Sequence, residues 1–307
     1  MKILKKVKIE NILFLDIETS TNSKELDLSS SEFDAWAYKK RRNGETDEEL
    51  AQLYKDEAAL FSDFGRVVCI SVGFYDGSEF RLKTFNDLNE KTLINDFYKT
   101  LDGFDSSKSF ELDYLCGHNI KQFDIPYIAK RGMINNIIPH SMLDTSGEKP
   151  WTMDWLLDTK ELWQMGSFDR TSLIALTNSL GIDSPKQDLQ GKDVPQYFWA
   201  DPEGNIERIS EYCERDVVAV YKIIDSFKNL GKDKKTPFEK IPLIRSLFDG
   251  GSYGVKEKKE LKTIFDKMSD EERQLGYVIL NAAVSTAKGK KTKLTKAHIK
   301  TLKTSYE

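Results

Sequence analysis

The sequence predicts an α/β fold in which a mixed sheet carries helices on both faces. Three observations lead there. The run ILFLDI (residues 12–17) is short, apolar and rich in strand formers, as a buried strand is. RVVCISVGFY and SEFRLKTF are strand-like and joined through Asp76-Gly77, a dipeptide that marks a hairpin between such runs. Beyond them, the short strands YLCGHN and MDWLLDT alternate with segments of helical period, which suggests β-α-β units.

After the first strand, residues 21–60 turn polar and charged and read as an exposed, mainly helical insertion. Within it, TDEEL opens a helix with an N-cap and acids in the first turn. The hairpin follows, then helical LNEKTLINDFYKTL, the strand YLCGHN, and a short helix DIPYIAKRG closed by Gly132. MDWLLDT is the next strand and TSLIALTNSLG the next helix, ending at Gly181. WADPEGN reads as a turn, and RISEYCERDVVAVYKIIDSFKNLG as a long amphipathic helix ending at Gly231. This is the element order of a ribonuclease-H-like sheet. From about Lys232 the stretches GKDKKTP and DGGSYGVKEKK are linker-like, a helix starts at the capping-box signature Ser269 to Glu272, and residues 288–307 carry seven lysines against one acid. The expected division is a domain over 1–230 and a mostly helical, lysine-rich extension over 231–307.

With 307 residues and 39% hydrophobic content, the chain can bury a substantial core. A formal charge of −4 gives no support to nucleic-acid binding, which must rest on local charge such as KKRR (Lys39 to Arg42) or the lysine tail. Either run serves a strand backbone or is simply solvated surface. Cys69, Cys116 and Cys213 are scattered among apolar residues with no C-x-x-C, so they read as reduced core thiols rather than a zinc site or a disulfide framework. The N-terminal apolar run is too short and too interrupted for a signal peptide, and no stretch approaches the ~20 apolar residues of a membrane span. A cytoplasmic setting without membrane contact is expected.

Acidic residues placed against apolar ones point to chemistry. Asp16 and Glu18 follow the apolar run two apart, so on a strand they face the same side. Glu25/Asp27 and Glu111/Asp113 share the spacing but lie in polar surroundings. Asp124 in HNIKQFDIPYI is either the N-cap of the helix at Pro126 or, flanked by Phe123, Ile125 and Ile128, an inward-facing carboxylate. Tyr212 and Asp216 in YCERD lie four apart on one helix face, with Asp216 inside the stripe of Cys213, Val217, Val220, Ile224 and Phe227. Tyr221/Asp225 has the same spacing but lies nearly half a revolution away at about 100° per residue. Tyr197/Asp201 runs into the WADPEGN turn. Buried like charges repel unless a cation compensates, and an oxygen-rich set suits two Mg²⁺ or Mn²⁺ ions of the kind that hydrolyse phosphodiesters.

FLDIET, HNIKQFD and YCERD together resemble the three motifs of the DEDD 3′–5′ exonuclease superfamily, in its tyrosine subtype. The chain is similar, over about residues 9–230, to the predicted exonucleases related to the proofreading domain of family B DNA polymerases; FGRVVCISVGFY, SFDRTSLIALTNSLGI and GKDV fit that group too. The resemblance implies that Asp16, Glu18, Asp124 and Asp216 ligate the ions and that Tyr212 orients or helps activate the attacking water. It implies removal of nucleoside 5′-monophosphates from DNA 3′ ends, in the setting of replication or repair proteins. With no polymerase motif in view, a free-standing nuclease is expected. An RNA 3′ trimmer and a catalytically silent nucleic-acid-binding module are the alternatives.

Weaker candidates surround this set. Thr19 is a sugar contact or a strand-end hydroxyl, Asn119 a substrate contact or a loop brace, and Lys186 a phosphate contact or a solvated lysine. Phe123 is carried as a substrate contact beside Asp124. Asp158 reads as a helix cap near the site, and His118 and His140 as structural.

Overall fold

The computed structural model describes residues 3–76, 78–106, 112–149, 151–168, 170–183 and 189–230. The chain divides between Leu230 and Gly231. The C-terminal extension, the Ser269 helix, Gly231, Gly77 and Lys186 lie outside the described residues.

Five strands form one sheet: β1 (Ile12–Thr21), β2 (Gly65–Tyr75), β3 (Phe80–Asn86), β4 (Tyr114–Gly117) and β5 (Leu156–Asp158). Their order is β3-β2-β1-β4-β5, with β1, β2 and β3 antiparallel neighbours and β4 and β5 parallel to β1. This is the ribonuclease-H-like mixed sheet that the element order predicts. β1 is central, and alternation sends its side chains to two different cores. Leu13, Leu15 and Ile17 join a cluster with helices α3 (Glu90–Ser106) and α4 (Asp124–Ile134). Ile12 and Phe14 face the other way, onto α8 (Pro202–Lys228). Helices therefore cover both faces, and Asp16 and Glu18 continue the row that faces α8.

The β1–β2 register shifts between Glu18 and Thr19: Glu18 opposes Cys69, whereas Thr19 opposes Val67. Val68 is thus an extra residue on β2, a β-bulge. Val68 and Cys69 consequently both pack toward α8, while Val67 and Ile70 both face α3 and α4.

Residues 21–60 hold α1 (Ser31–Lys40) and α2 (Asp47–Glu57), closed by a 3₁₀ turn at Ala58–Leu60. Thr46 and Glu49 form the capping box that opens α2. The insertion is not simply exposed, because Trp36, Leu50 and Tyr54 are fully buried in a small core of their own with Phe33, Ala58 and Phe64. Trp36 Nε1 donates to the Leu50 carbonyl at 2.8 Å inside it. The basic run is largely self-neutralised, with Lys39, Lys40 and Arg41 paired to Asp63, Glu57 and Asp47.

Two helix ends differ from expectation. Gly132 does not close α4, which continues to Ile134; it allows close packing instead, since a Cβ there would stand 2.8 Å from Tyr98 Oη. The left-handed residue that follows the helix is Asn136, at φ +58°. The long helix begins at Pro202, so WADPEGN is a helix start rather than a turn. Asp201 caps it by accepting the Gly204 N–H at 3.1 Å, and proline occupies the first helical position, where its missing N–H costs nothing. Between β5 and α8 lie α5 (Thr159–Gln164), α6 (Leu173–Ser179) and α7 (Val194–Ala200), the last entered through a 3₁₀ turn at Gly191–Asp193.

Candidate active site

Four segments meet beside the end of β1 that faces α8. Asp16 and Glu18 point together, as their spacing requires, and an oxygen of each lies with Cys213 Sγ in a set of atoms all within 4.8 Å of one another. The Cys213 thiol donates to the Asp16 carbonyl at 3.3 Å and lies 3.5 Å from Asp16 Oδ2. Asp124 comes from the opposite face at the first turn of α4. Its carboxylate does not cap that helix toward the second or third residue; Oδ1 accepts the Ile17 N–H at 3.2 Å, through the middle of β1. Glu18, Asp124 and Asp216 are all buried, while Asp16 is partly open to solvent.

Electrostatics show that the four acids form one group. Burial, then the charges of Asp124, Asp216 and Glu18, push the Asp16 carboxyl well above the usual carboxylate range. Burial foremost, with Asp158 and Asp216 adding to it, pushes Asp124 up to about 7. Two full charges at the Asp16–Glu18 spacing would repel by about 3 kcal/mol at an effective dielectric near 20. A divalent cation among them would reverse the sign of that interaction. The donors are carboxylate oxygens, the chemistry that suits Mg²⁺ or Mn²⁺. Cys213 contributes no thiolate, because burial, Cys69 and the neighbouring acids hold its thiol protonated.

Tyr212 stands beside the cluster. Burial, then Asp216, Glu18 and Asp16, raise its phenol above the ordinary value, and its oxygen accepts the Gly191 N–H. A Cβ on Gly191 would lie 4.0 Å from Glu18 Oε2, so the Gly191–Asp193 turn forms one wall of the site. Sequence reasoning placed Cys213 only in the apolar stripe and named Gly191 only within GKDV. The usable signal for Cys213 was its place next to Tyr212 and three residues before Asp216.

The weaker candidates are braced by the protein itself. Thr19 Oγ1 donates to the Ala59 carbonyl at 2.9 Å. Asn119, at φ +67°, donates its N–H to Asp158 Oδ1 at 2.9 Å and accepts Lys160 Nζ at 2.8 Å. Asp158 caps α5 through the Lys160 N–H, also at 2.9 Å. Phe123 packs on Tyr127, with ring centroids 5.3 Å apart. His118 lies between Thr159 Oγ1 and the Thr171 carbonyl, and burial lowers it to about 4. His140 is within 3.4 Å of Asp102. All three cysteines are buried and free, and among the described residues no helix is long and apolar enough to cross a membrane.

Residues 60–233, more than half of the chain, match the family described as "Predicted 3'-5' exonuclease related to the exonuclease domain of PolB". The chain belongs to this family. This chain is similar to a DNA polymerase catalytic subunit of Saimiriine herpesvirus 2 (strain 11), 27% identical over an alignment of 192 residues, with 52% of this chain and 18% of that one covered. Among solved structures, the family B DNA polymerase of the hyperthermophilic archaeon Pyrobaculum calidifontis is 17% identical with a TM-score of 0.44, covering 71% of this chain and 24% of the polymerase. The chain thus spans less than a quarter of either polymerase.

Proposed function

We propose that the chain is a 3′–5′ exonuclease that removes nucleoside 5′-monophosphates from the 3′ end of DNA with two divalent ions, Mg²⁺ or Mn²⁺. The observation that carries this reading is the meeting of four carboxylates and one tyrosine from three separate segments, β1, α4 and α8. Asp16, Glu18, Asp124 and Asp216 would hold the ions, which when bound supply a nucleophilic water and offset charge on the leaving oxygen. The chain's own residues do the rest. Ile17 N–H fixes Asp124, and the Cys213 thiol fixes the Asp16 backbone. Tyr212, its oxygen accepting the Gly191 N–H, keeps its own proton to donate toward the attacking water or a phosphate oxygen. DNA is favoured because the herpesvirus relative is a DNA polymerase subunit. In that setting, partners among replication or repair proteins and a cytoplasmic location are consistent.

The test is a 5′-labelled single-stranded DNA, with a matched RNA in parallel, in Mg²⁺ or Mn²⁺ and with a chelator control. Wild type should yield a ladder shrinking from the 3′ end of DNA, and Asp16→Ala or Asp216→Ala should yield none while remaining folded by circular dichroism. Preferential RNA cleavage would reassign the substrate. A bound but uncut strand in both lanes would make this a silent binding module.

A further inference from the structure

We propose that the single strand leading to the 3′ end runs through a groove between α2 and the segment Lys192–Trp199, resting on the nucleic-acid reading above. The groove encloses about 660 Å³ and is floored by Thr21, the last residue of the strand that carries Asp16 and Glu18. It begins at the site itself, because Lys192 follows Gly191, which packs against Glu18 and Tyr212. Its walls offer the two kinds of group that hold single strands without reading sequence, cations and an aromatic face. Lys24, Lys55 and Lys192 reach into it as phosphate partners, all three exposed. Trp199 supplies an aromatic face, fixed in place because its Nε1 donates to Thr21 Oγ1 at 2.9 Å.

Glu25, Asp56 and Asp193 also line the groove, equal in number to its lysines, and one of them holds its lysine only loosely. Lys55 rests 3.7 Å from Glu25, a loose exposed pair worth little in water, so a phosphate can take the lysine over at small cost. The helical insertion therefore does more than decorate the sheet. Its second helix supplies one side of the strand path.

The test measures binding rather than cleavage. A 5′-fluorescein 12-mer of single-stranded DNA is titrated by anisotropy across a salt series, with Ca²⁺ in place of Mg²⁺ to neutralise the acids. The triple variant Lys24→Ala/Lys55→Ala/Lys192→Ala should bind at least tenfold more weakly at low salt. Its slope of log Kd against log salt should fall by about 2, from three lost phosphate contacts at roughly 0.7 each. A control triple, Lys91→Ala/Lys99→Ala/Lys130→Ala, removes the same charge from α3 and α4 and should bind like wild type. An unchanged slope in the groove variant, an equal loss in both triples, or no binding by wild type would overturn the groove. Cleavage of the same oligonucleotide in Mg²⁺ is read separately. A wild type that binds with the lysine-dependent slope and leaves the strand uncut keeps the groove and overturns the exonuclease reading alone.

Discussion

Burial and three neighbouring carboxylates keep Tyr212 protonated at neutral pH, so what it can offer a substrate is a hydrogen bond rather than a phenolate. Tyr212→Phe removes that proton and little volume. Cleavage should slow by roughly 10²-fold, the low end for a positioned proton-transfer group, with the Mg²⁺-induced rise in Tm unchanged. An unaltered rate in a single-turnover assay would reduce the residue to packing. Asp124 makes the complementary prediction without metal. Its folded value near 7 exceeds the ordinary 3.8, so the protonated form is favoured by folding. The stability it contributes is full below about pH 4 and is lost as pH rises through about 7. In chelator, Asp124→Asn should therefore melt several degrees above wild type at pH 8 and converge with it toward acid. Added Mg²⁺ should raise wild-type Tm and leave the variant behind.

At the scale of elements, α4 lies close against α3 because Gly132 has no side chain where Tyr98 Oη stands 2.8 Å from the ideal Cβ. Gly132→Ala should cost about 1–3 kcal/mol by overpacking. Tyr98→Phe should restore most of it, since it removes a hydroxyl that is buried without a hydrogen-bond partner among the described residues; urea unfolding of the single and double variants measures both. This glycine also shows where the sequence could mislead. A Gly near the end of an apolar period is the common helix stop, and only the neighbouring helix reveals that it is a contact. Pro202 misled in the opposite sense, since a proline breaks one helix and starts the next with equal ease. Trp36, Leu50 and Tyr54 were hidden by the charged residues between them, because a narrow apolar stripe barely alters the average of a polar segment. Strong periodicity read correctly: the first strand, the hairpin and the stripe on α8 are where ILFLDI, Asp76 and Cys213 to Phe227 put them. The convergence of Asp16, Glu18, Asp124 and Asp216 was legible because each sits among apolar residues. The Gly191 wall was not, since it depends on a loop returning from far along the chain.

For the whole molecule, one buried ion pair joins parts that are far apart in sequence. Glu90 Oε1 accepts the Val67 N–H at 2.7 Å and Arg131 Nε at 2.9 Å, and Oε2 accepts Arg131 Nη2 and Asn135 Nδ2. Arg131 Nη1 donates to the Ser62 carbonyl at 3.0 Å. The pair thereby joins β2, both helices of one face and the chain leaving the insertion. Glu90→Ala leaves the guanidinium buried and uncompensated and should cost about 3–5 kcal/mol in urea unfolding, with Glu90→Ala/Arg131→Met costing less. The bulge at Val68 acts on the same strand in another way. Were Val68 deleted, Val67 would stay opposite Thr19 and Cys69 opposite Glu18, and Val67, Cys69 and Ile70 would alternate between the two faces as in a regular strand. The edit would cost only the side chain that Val68 packs toward α8. At this one point the central pair of strands carries a spare residue, and it tolerates a loss that elsewhere would turn every side chain to the wrong face.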